Sequence, residues 1–319
     1  MRTPSWLWRA LRIGFVVLAV GLLVAALVDQ WHNVSSGWHE LPVRSLLLAA
    51  GAVLLGLFFS ALAWRALLAD LGQQIPVMGA VRVFFVGQLG KYLPGSVWPV
   101  VAQMELGKAH GLSRRPVGTV ALLVMVLNVA TGLLVAVVLL PFTSPHALSR
   151  YGWAIAFLPV GLALLHPRIL NPVVNKAFSL ARREPLERPL TLRGIAVATG
   201  WTMLMWASYG AHVWALADGL HATGAKSLPL LATGAFALAW TAGFVAIIFP
   251  AGAGIREAVL IVAMTAVLAN KELVALAAVS RLLMTAGDLV WGAVGGLTGR
   301  ARNGGTPARD VSPATLLPD

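Results

Sequence analysis

Apolar residues fall in long blocks along this chain, and polar residues gather in short stretches between them. A helix crossing about 30 Å of hydrocarbon needs roughly 20 apolar residues. Eight blocks approach that length, and four of them, 45–64, 117–140, 194–217 and 228–249, contain no Asp, Glu, Lys or Arg. Block 11–28 holds one charge, Arg12, near its start, and block 151–165 is short enough to need tilt or local thinning of the bilayer. Blocks 252–269 and 273–299 complete the set and differ in kind, because the first carries Arg256 and Glu257 and the second Arg281 and Asp288. The first block has the basic flank of a secretory signal (Arg2, Arg9, Arg12) but no small-x-small cleavage site before Asp29, so it is expected to stay as the first helix. The pattern predicts an all-α polytopic membrane protein of about eight transmembrane helices.

Orientation follows from the 24 Lys and Arg residues, since basic loops stay cytoplasmic. Sorted onto alternating sides, three at the N-terminus, six between Arg65 and Arg115, six between Arg168 and Arg193, and three in the tail (Arg300, Arg302, Arg309) fall together. Only Arg44, Arg150, Lys226 and Lys271 fall opposite, and Arg256 and Arg281 lie inside blocks. Eighteen against four predicts both termini in the cytoplasm. The same placement explains the net charge of +12 by insertion and anionic headgroups, and no nucleic-acid partner is expected.

Composition agrees. The chain is 58% hydrophobic and 11% charged, with a mean hydropathy of +0.81; soluble domains carry about 25% charged residues. Too few charges are present to cover a water-facing surface. The absence of cysteine excludes a disulfide scaffold, thiolate catalysis, Fe–S clusters and Cys-ligated zinc. Residues 1–300 read as one integral membrane domain. Residues 301–319, rich in Gly, Pro and Thr, read as a disordered cytoplasmic tail.

Two segments break the pattern. Between the second and third blocks, residues 75–110 are too apolar for a solvated loop, and two short apolar arms flank Gly87-Gln88-Leu89-Gly90-Lys91-Tyr92-Leu93-Pro94-Gly95. Basic residues at both ends put both on one side, so this segment is expected to enter and leave by the same face as a re-entrant or interfacial helical hairpin. Irregular backbone at membrane depth persists only where it is packed in protein or lines a wet cavity. The second break, Phe249-Pro250-Ala251-Gly252-Ala253-Gly254-Ile255-Arg256-Glu257, puts a helix N-terminus beside an arginine. That is a natural place for an anion, although the glycines could equally serve close helix packing.

Charges at bilayer depth cost roughly 2.5 to 3.5 kcal/mol each on insertion scales, so Arg256, Glu257, Arg281 and Asp288, which sum to zero, are expected to pair. Counted from the turn at Asn270–Glu272 at about 1.5 Å per residue, Arg256 and Glu257 lie roughly 18 to 20 Å deep, Arg281 about 12 Å and Asp288 about 22 Å. Matching depths predict Arg256 with Asp288 and Glu257 with Arg281. Arg281, Thr285 and Asp288 share one helix face. His212 and Asn128 are expected to be interhelical hydrogen-bond partners. No His spacing suits a metal, and Trp6, Trp8, Trp31, Trp38, Trp98, Trp153 and Trp291 read as interfacial anchors.

With both broken segments in view, the chain resembles the lysylphosphatidylglycerol synthase transmembrane-region family, the flippase-like half of the bacterial multiple peptide resistance factor, which also occurs as stand-alone membrane proteins. The resemblance rests on a K-Y-x-P-G segment after two helices and a P-x-G-x-G-x-R-E segment before the last two. It implies lipid translocation in the bacterial inner membrane, with related members handling polyprenyl-linked sugars. It makes Lys91, Tyr92, Pro94, Gly95, Gly252, Gly254, Arg256 and Glu257 candidate substrate-binding positions, which Arg281 and Asp288 join as buried charges. No counterpart of the full-length synthase's soluble aminoacyl transferase domain is recognised here, so lipid aminoacylation is not carried over, and no cofactor is implied. The expected function is translocation of an anionic phospholipid or polyprenyl-phosphate-linked lipid through a charge-balanced cavity. No G-x-x-x-x-G-K-[ST] motif is present, so movement is expected to be passive or ion-coupled. The rival readings are a non-catalytic partner of a cell-envelope lipid or sugar transferase, and an integral membrane glycosyltransferase, whose outer-face carboxylates could only be Asp29 and Glu40.

Overall fold

The computed structural model describes residues 41–92, 97–144, 147–149, 152–180, 188–224, 226–246 and 254–303, and the elements assigned among them are all helical. The first apolar block, the tail beyond 303, and Pro94, Gly95 and Gly252 lie outside the described residues. The elements are α1 (Val43–Asp70), a hairpin whose first arm is α2 (Val77–Val81) and whose second is α3 (Trp98–Lys108), then α4 (Arg114–Leu139), α5 (Leu158–Leu164), α6 (Pro167–Leu180), α7 (Leu192–Gly219), α8 (Leu228–Val245), α9 (Ile255–Met264) and α10 (Asn270–Asn303). Among the described residues four helices are long and apolar enough to cross a membrane: α1, α4 with its extension to Thr143, α8, and α10 as far as Leu297. At 28 residues α7 matches α1 in length, but Trp201, Trp206, Tyr209, His212 and Trp214 make it more polar. Two other blocks expected as crossings are shorter as helices among the described residues. Block 151–165 forms a 3-10 segment and then seven-residue α5, and α9 has ten residues, a rise of about 15 Å.

Small residues let these helices approach closely, as membrane helices require where lipid supplies no hydrophobic drive between them. Gly56 of α1 faces the Tyr209 ring, where a Cβ would come within 2.5 Å of it, and Gly132 of α4 takes Trp206 of α7. Trp206 donates to Thr131 Oγ1 at 3.0 Å, so a buried indole N–H is satisfied across the α4–α7 contact. At one end of the bundle Asp70 accepts from the Thr191 amide at 2.7 Å and its hydroxyl at 2.6 Å. There the Asn171 side chain also exchanges two 2.9 Å bonds with the Leu190 backbone. These contacts join the ends of α1, α6 and α7.

The described residues of the 75–110 segment, 75–92 and 97–110, form the two arms of a helical hairpin. Its ends are tied where the Ser113 amide donates to Gln73 Oε1 at 3.0 Å, so it begins and finishes at the same place. From α2 the first arm continues through a π-helical turn, Arg82–Val86, and a 3-10 turn, Leu89–Tyr92. Two glycines hold it against α3. A Cβ at Gly87 would clash with Gln103, and one at Gly90 would sit 2.9 Å from the Pro99 nitrogen. The arm runs down α10 in reverse: Arg82 backbone against Gly295, Phe85 stacked on Trp291 at 5.4 Å, Leu89 against Gly292. Val83, Phe84 and Phe85 are buried, so the hairpin is packed in protein and does not lie loose on a surface. Trp291 therefore is no interfacial anchor. It stacks on Phe58 as well as Phe85 and donates to the Leu54 carbonyl at 3.0 Å.

Candidate functional site

Descending along α10, the hairpin's first arm delivers Lys91 and Tyr92 to Asp288. Lys91 Nζ lies 2.6 Å from Asp288 Oδ2, and the Tyr92 hydroxyl donates to the same oxygen at 2.7 Å. Thr285, one turn earlier on α10, sits beside that hydroxyl. Asp288 is 5% exposed while Lys91 is 32% exposed, so the carboxylate is fixed and its cation reaches it from a more open position. Asp288 stands twelve residues before Arg300, or about 18 Å along the helix, so Lys91 and Tyr92 lie well inside the length of α10.

The expected pairing of Arg256 with Asp288 does not form. Asp288 is already taken by Lys91 and Tyr92, and Arg256 lies instead over the Phe236 ring, 5.1 Å from its centroid. The expected pairing of Glu257 with Arg281 does form: Arg281 Nη1 donates to Glu257 Oε1 at 2.7 Å, with both side chains mostly buried. The second oxygen of Glu257 accepts the Gly254 amide at 2.7 Å. Glu257 thus caps its own helix, and that amide is not free for a ligand. Gly254 has φ +86°, and a Cβ added to it would meet no atom within 4 Å, so the backbone conformation, not crowding, calls for glycine there.

What remains is Arg256, with one N–H group unmet among the described residues. Arg256 Nη2 is shielded from solvent and has no hydrogen-bond partner among the described residues. Its electrostatic neighbours are Glu257, Arg281, Tyr92 and Tyr209. Behind it, His212 on α7 meets Ser280 Oγ on α10 at 2.9 Å and packs edge-on to Phe236 with centroids 4.6 Å apart. His212 is therefore the interhelical partner its sequence context suggests. Asn128 Oδ1 is buried without a partner among the described residues, and Thr131, one turn on, makes the interhelical bond instead.

Five described charges thus gather where the end of the hairpin's first arm, α9 and α10 meet: Lys91, Arg256 and Arg281 against Glu257 and Asp288. Including Lys91 leaves one positive charge in excess, where the four charges of the last two blocks sum to zero. Tyr209 and Phe236 complete the surroundings, and nothing in the sequence separates them from lipid-facing aromatics. Among the cavities lined by described residues are the following two. One is a small apolar gap near Leu67 and Leu127, and the other lies at the α7–α8 and α9–α10 turns beside His221 and Glu272. Neither adjoins the charged cluster. The cavity expected around Pro94, Gly95 and Gly252 falls on residues outside the described set. Among the described residues no group of His, Asp and Glu is placed to hold a metal ion.

The family model described as lysylphosphatidylglycerol synthase TM region matches residues 9–292. No curated protein matches the chain.

Proposed function

The chain belongs to the lysylphosphatidylglycerol synthase TM-region family, and on that premise we propose that it is a lipid translocase of the bacterial inner (plasma) membrane. In this reading the phosphate of an anionic lipid passes the Arg256 guanidinium while its acyl chains trail in the bilayer. The observation that supports it is the excess cation: Arg256 is buried in the protein with an N–H that no described residue accepts. An ion in that position is costly until an anion meets it, and a guanidinium fork suits phosphate oxygens.

The charge count narrows the substrate. One surplus positive charge is neutralised by one phosphodiester, whereas a phosphomonoester carries about 1.5 to 2 negative charges at neutral pH and a diphosphate more. A phosphodiester lipid is the better fit. Lys91, the more exposed member of its pair, is the group that turns from Asp288 to the arriving phosphate, and Tyr92 keeps Asp288 hydrogen-bonded meanwhile. The reading needs no covalent step, cofactor or nucleic acid. It calls for a cell-envelope synthase that makes or consumes the lipid as a partner, and it treats the helical part of the chain as a single integral membrane domain.

The test is reconstitution into liposomes with headgroup-labelled phosphodiester lipids and, separately, polyprenyl phosphate. Wild type should move the phosphodiester lipid. Arg256→Ala should slow it at least about tenfold, the cost of one charged hydrogen bond, and Arg256→Lys should recover part of the rate by restoring charge without the fork. Failure of wild type to move any lipid removes the reading, and equal rates for wild type and Arg256→Ala remove the site.

A further inference from the structure

Helix α6 presents three faces where a transmembrane helix shows two. Its inner face is fixed: Leu170 and Val174 pack into the core, Asn171 holds Leu190, and Arg115 at the start of α4 lies 5.4 Å from the centre of the Phe178 ring. The rest of its circumference is exposed. At about 100° per residue that exposed arc divides. Ile169, Val173 and Leu180, 39%, 58% and 77% exposed, cluster on one flank, Arg168 and Ser179 lie on the other with Pro172 next to them, and Lys176 stands on the seam.

The division says where the helix lies. An exposed arc facing acyl chains would be apolar throughout, and one facing water would be polar throughout. An apolar flank beside a basic one is the pattern of a helix lying in the headgroup plane. The position in the fold agrees, since α6 is tied to the bundle end that carries Asp70, Arg115 and Thr191, where α1 and α7 terminate. We propose that α6 is an interfacial helix that gathers anionic phospholipid, with Ile169, Val173 and Leu180 in the acyl boundary and Arg168 and Lys176 on lipid phosphates. Charge complementarity selects the occupant: two cations edge the apolar flank, and the exposed arc carries no carboxylate. This surface is separate from the Arg256 site, and neither reading depends on the other.

The chain has no cysteine, so Val173→Cys in the full protein gives a single attachment point for a spin label or a fluorescence donor. In vesicles mixing phosphatidylglycerol with phosphatidylcholine, the spin label should collide with oxygen more than with a water-soluble nickel reagent. Energy transfer from the donor should favour acceptor-labelled phosphatidylglycerol over acceptor-labelled phosphatidylcholine. Replacing Arg168 and Lys176 by Gln should cut that preference by about fivefold per charge removed; both residues are exposed, so the fold should be unaffected. A label that meets mainly the nickel reagent would place α6 in water, and one shielded from both reagents would place it against protein; either overturns the proposal. An unchanged lipid preference in the double Gln variant overturns it as well.

Discussion

At Asp288 one carboxylate oxygen serves two partners, Lys91 at 2.6 Å and Tyr92 at 2.7 Å, and this makes the residue testable on its own. Asp288→Asn removes the charge but keeps an acceptor for Tyr92, so it isolates the ion pair. Breaking a fully buried pair costs about 3–5 kcal/mol; with Lys91 a third exposed, a loss of about 2 kcal/mol is expected here. Because the penalty comes from stranding the other charge, Lys91→Met combined with Asp288→Asn should be less destabilising than Asp288→Asn alone. Unfolding midpoints in detergent measure both. Gly254 gives a second residue-level prediction. Its φ of +86° with open space around it means that Gly254→Ala should cost about 1–2 kcal/mol through backbone conformation. Gly254→Asn should cost less although Asn is larger, because Asn tolerates the left-handed region. The reverse order would mean that crowding governs the position.

The hairpin is the element on which the site depends, and its contacts are made by glycines. Gly295 lets the Arg82 backbone approach α10, with a Cβ there 2.9 Å from Arg82 Cα. Gly295→Val should push the arm off α10, separate Lys91 and Tyr92 from Asp288, and reduce lipid movement at least tenfold at a stability cost of about 1–3 kcal/mol. The α1–α7 packing should be untouched, which hydrogen exchange on those two helices would check. The element scale also separates what the sequence discloses from what it hides. Glu257 and Arg281 can be paired from sequence because both sit on helices whose rise per residue fixes their depth. The hairpin is legible because a Pro-Gly break between two apolar arms, with basic residues at both ends, forces the chain back to the side it left. The Tyr92–Asp288 contact is not legible, since the residues are 196 positions apart and the depth of a hairpin tip does not follow from a helix repeat. Depth counting therefore assigns Asp288 to Arg256, the nearest cation at equal depth. Trp291 is hidden for a related reason: a tryptophan near a helix end looks the same in sequence whether it stacks inside on Phe85 or faces headgroups.

For the molecule as a whole, the basic residues supply a definite expectation of how the bundle sits in the bilayer. Eighteen Lys and Arg on one side and four on the other predict that the Asp70–Thr191 end, the hairpin's two feet and α6 face the cytoplasm. The turn at Lys226 then lies outside. The hydrogen bond from Ser113 to Gln73 fixes one part of this already: the two feet are adjacent, so the segment between them returns to its starting side. If it also reaches membrane depth, Gln74→Cys and Ser113→Cys must share an orientation that Lys226→Cys does not. All three positions are exposed and the chain has no cysteine of its own, so a membrane-impermeant maleimide applied to intact cells reads each position without background. Lys226→Cys should react at once, and the other two only after the membrane is opened. Reaction of Gln74→Cys and Ser113→Cys without Lys226→Cys would reverse the orientation, and reaction of all three from outside would put the hairpin's feet and the Lys226 turn on one side, against the charge sorting.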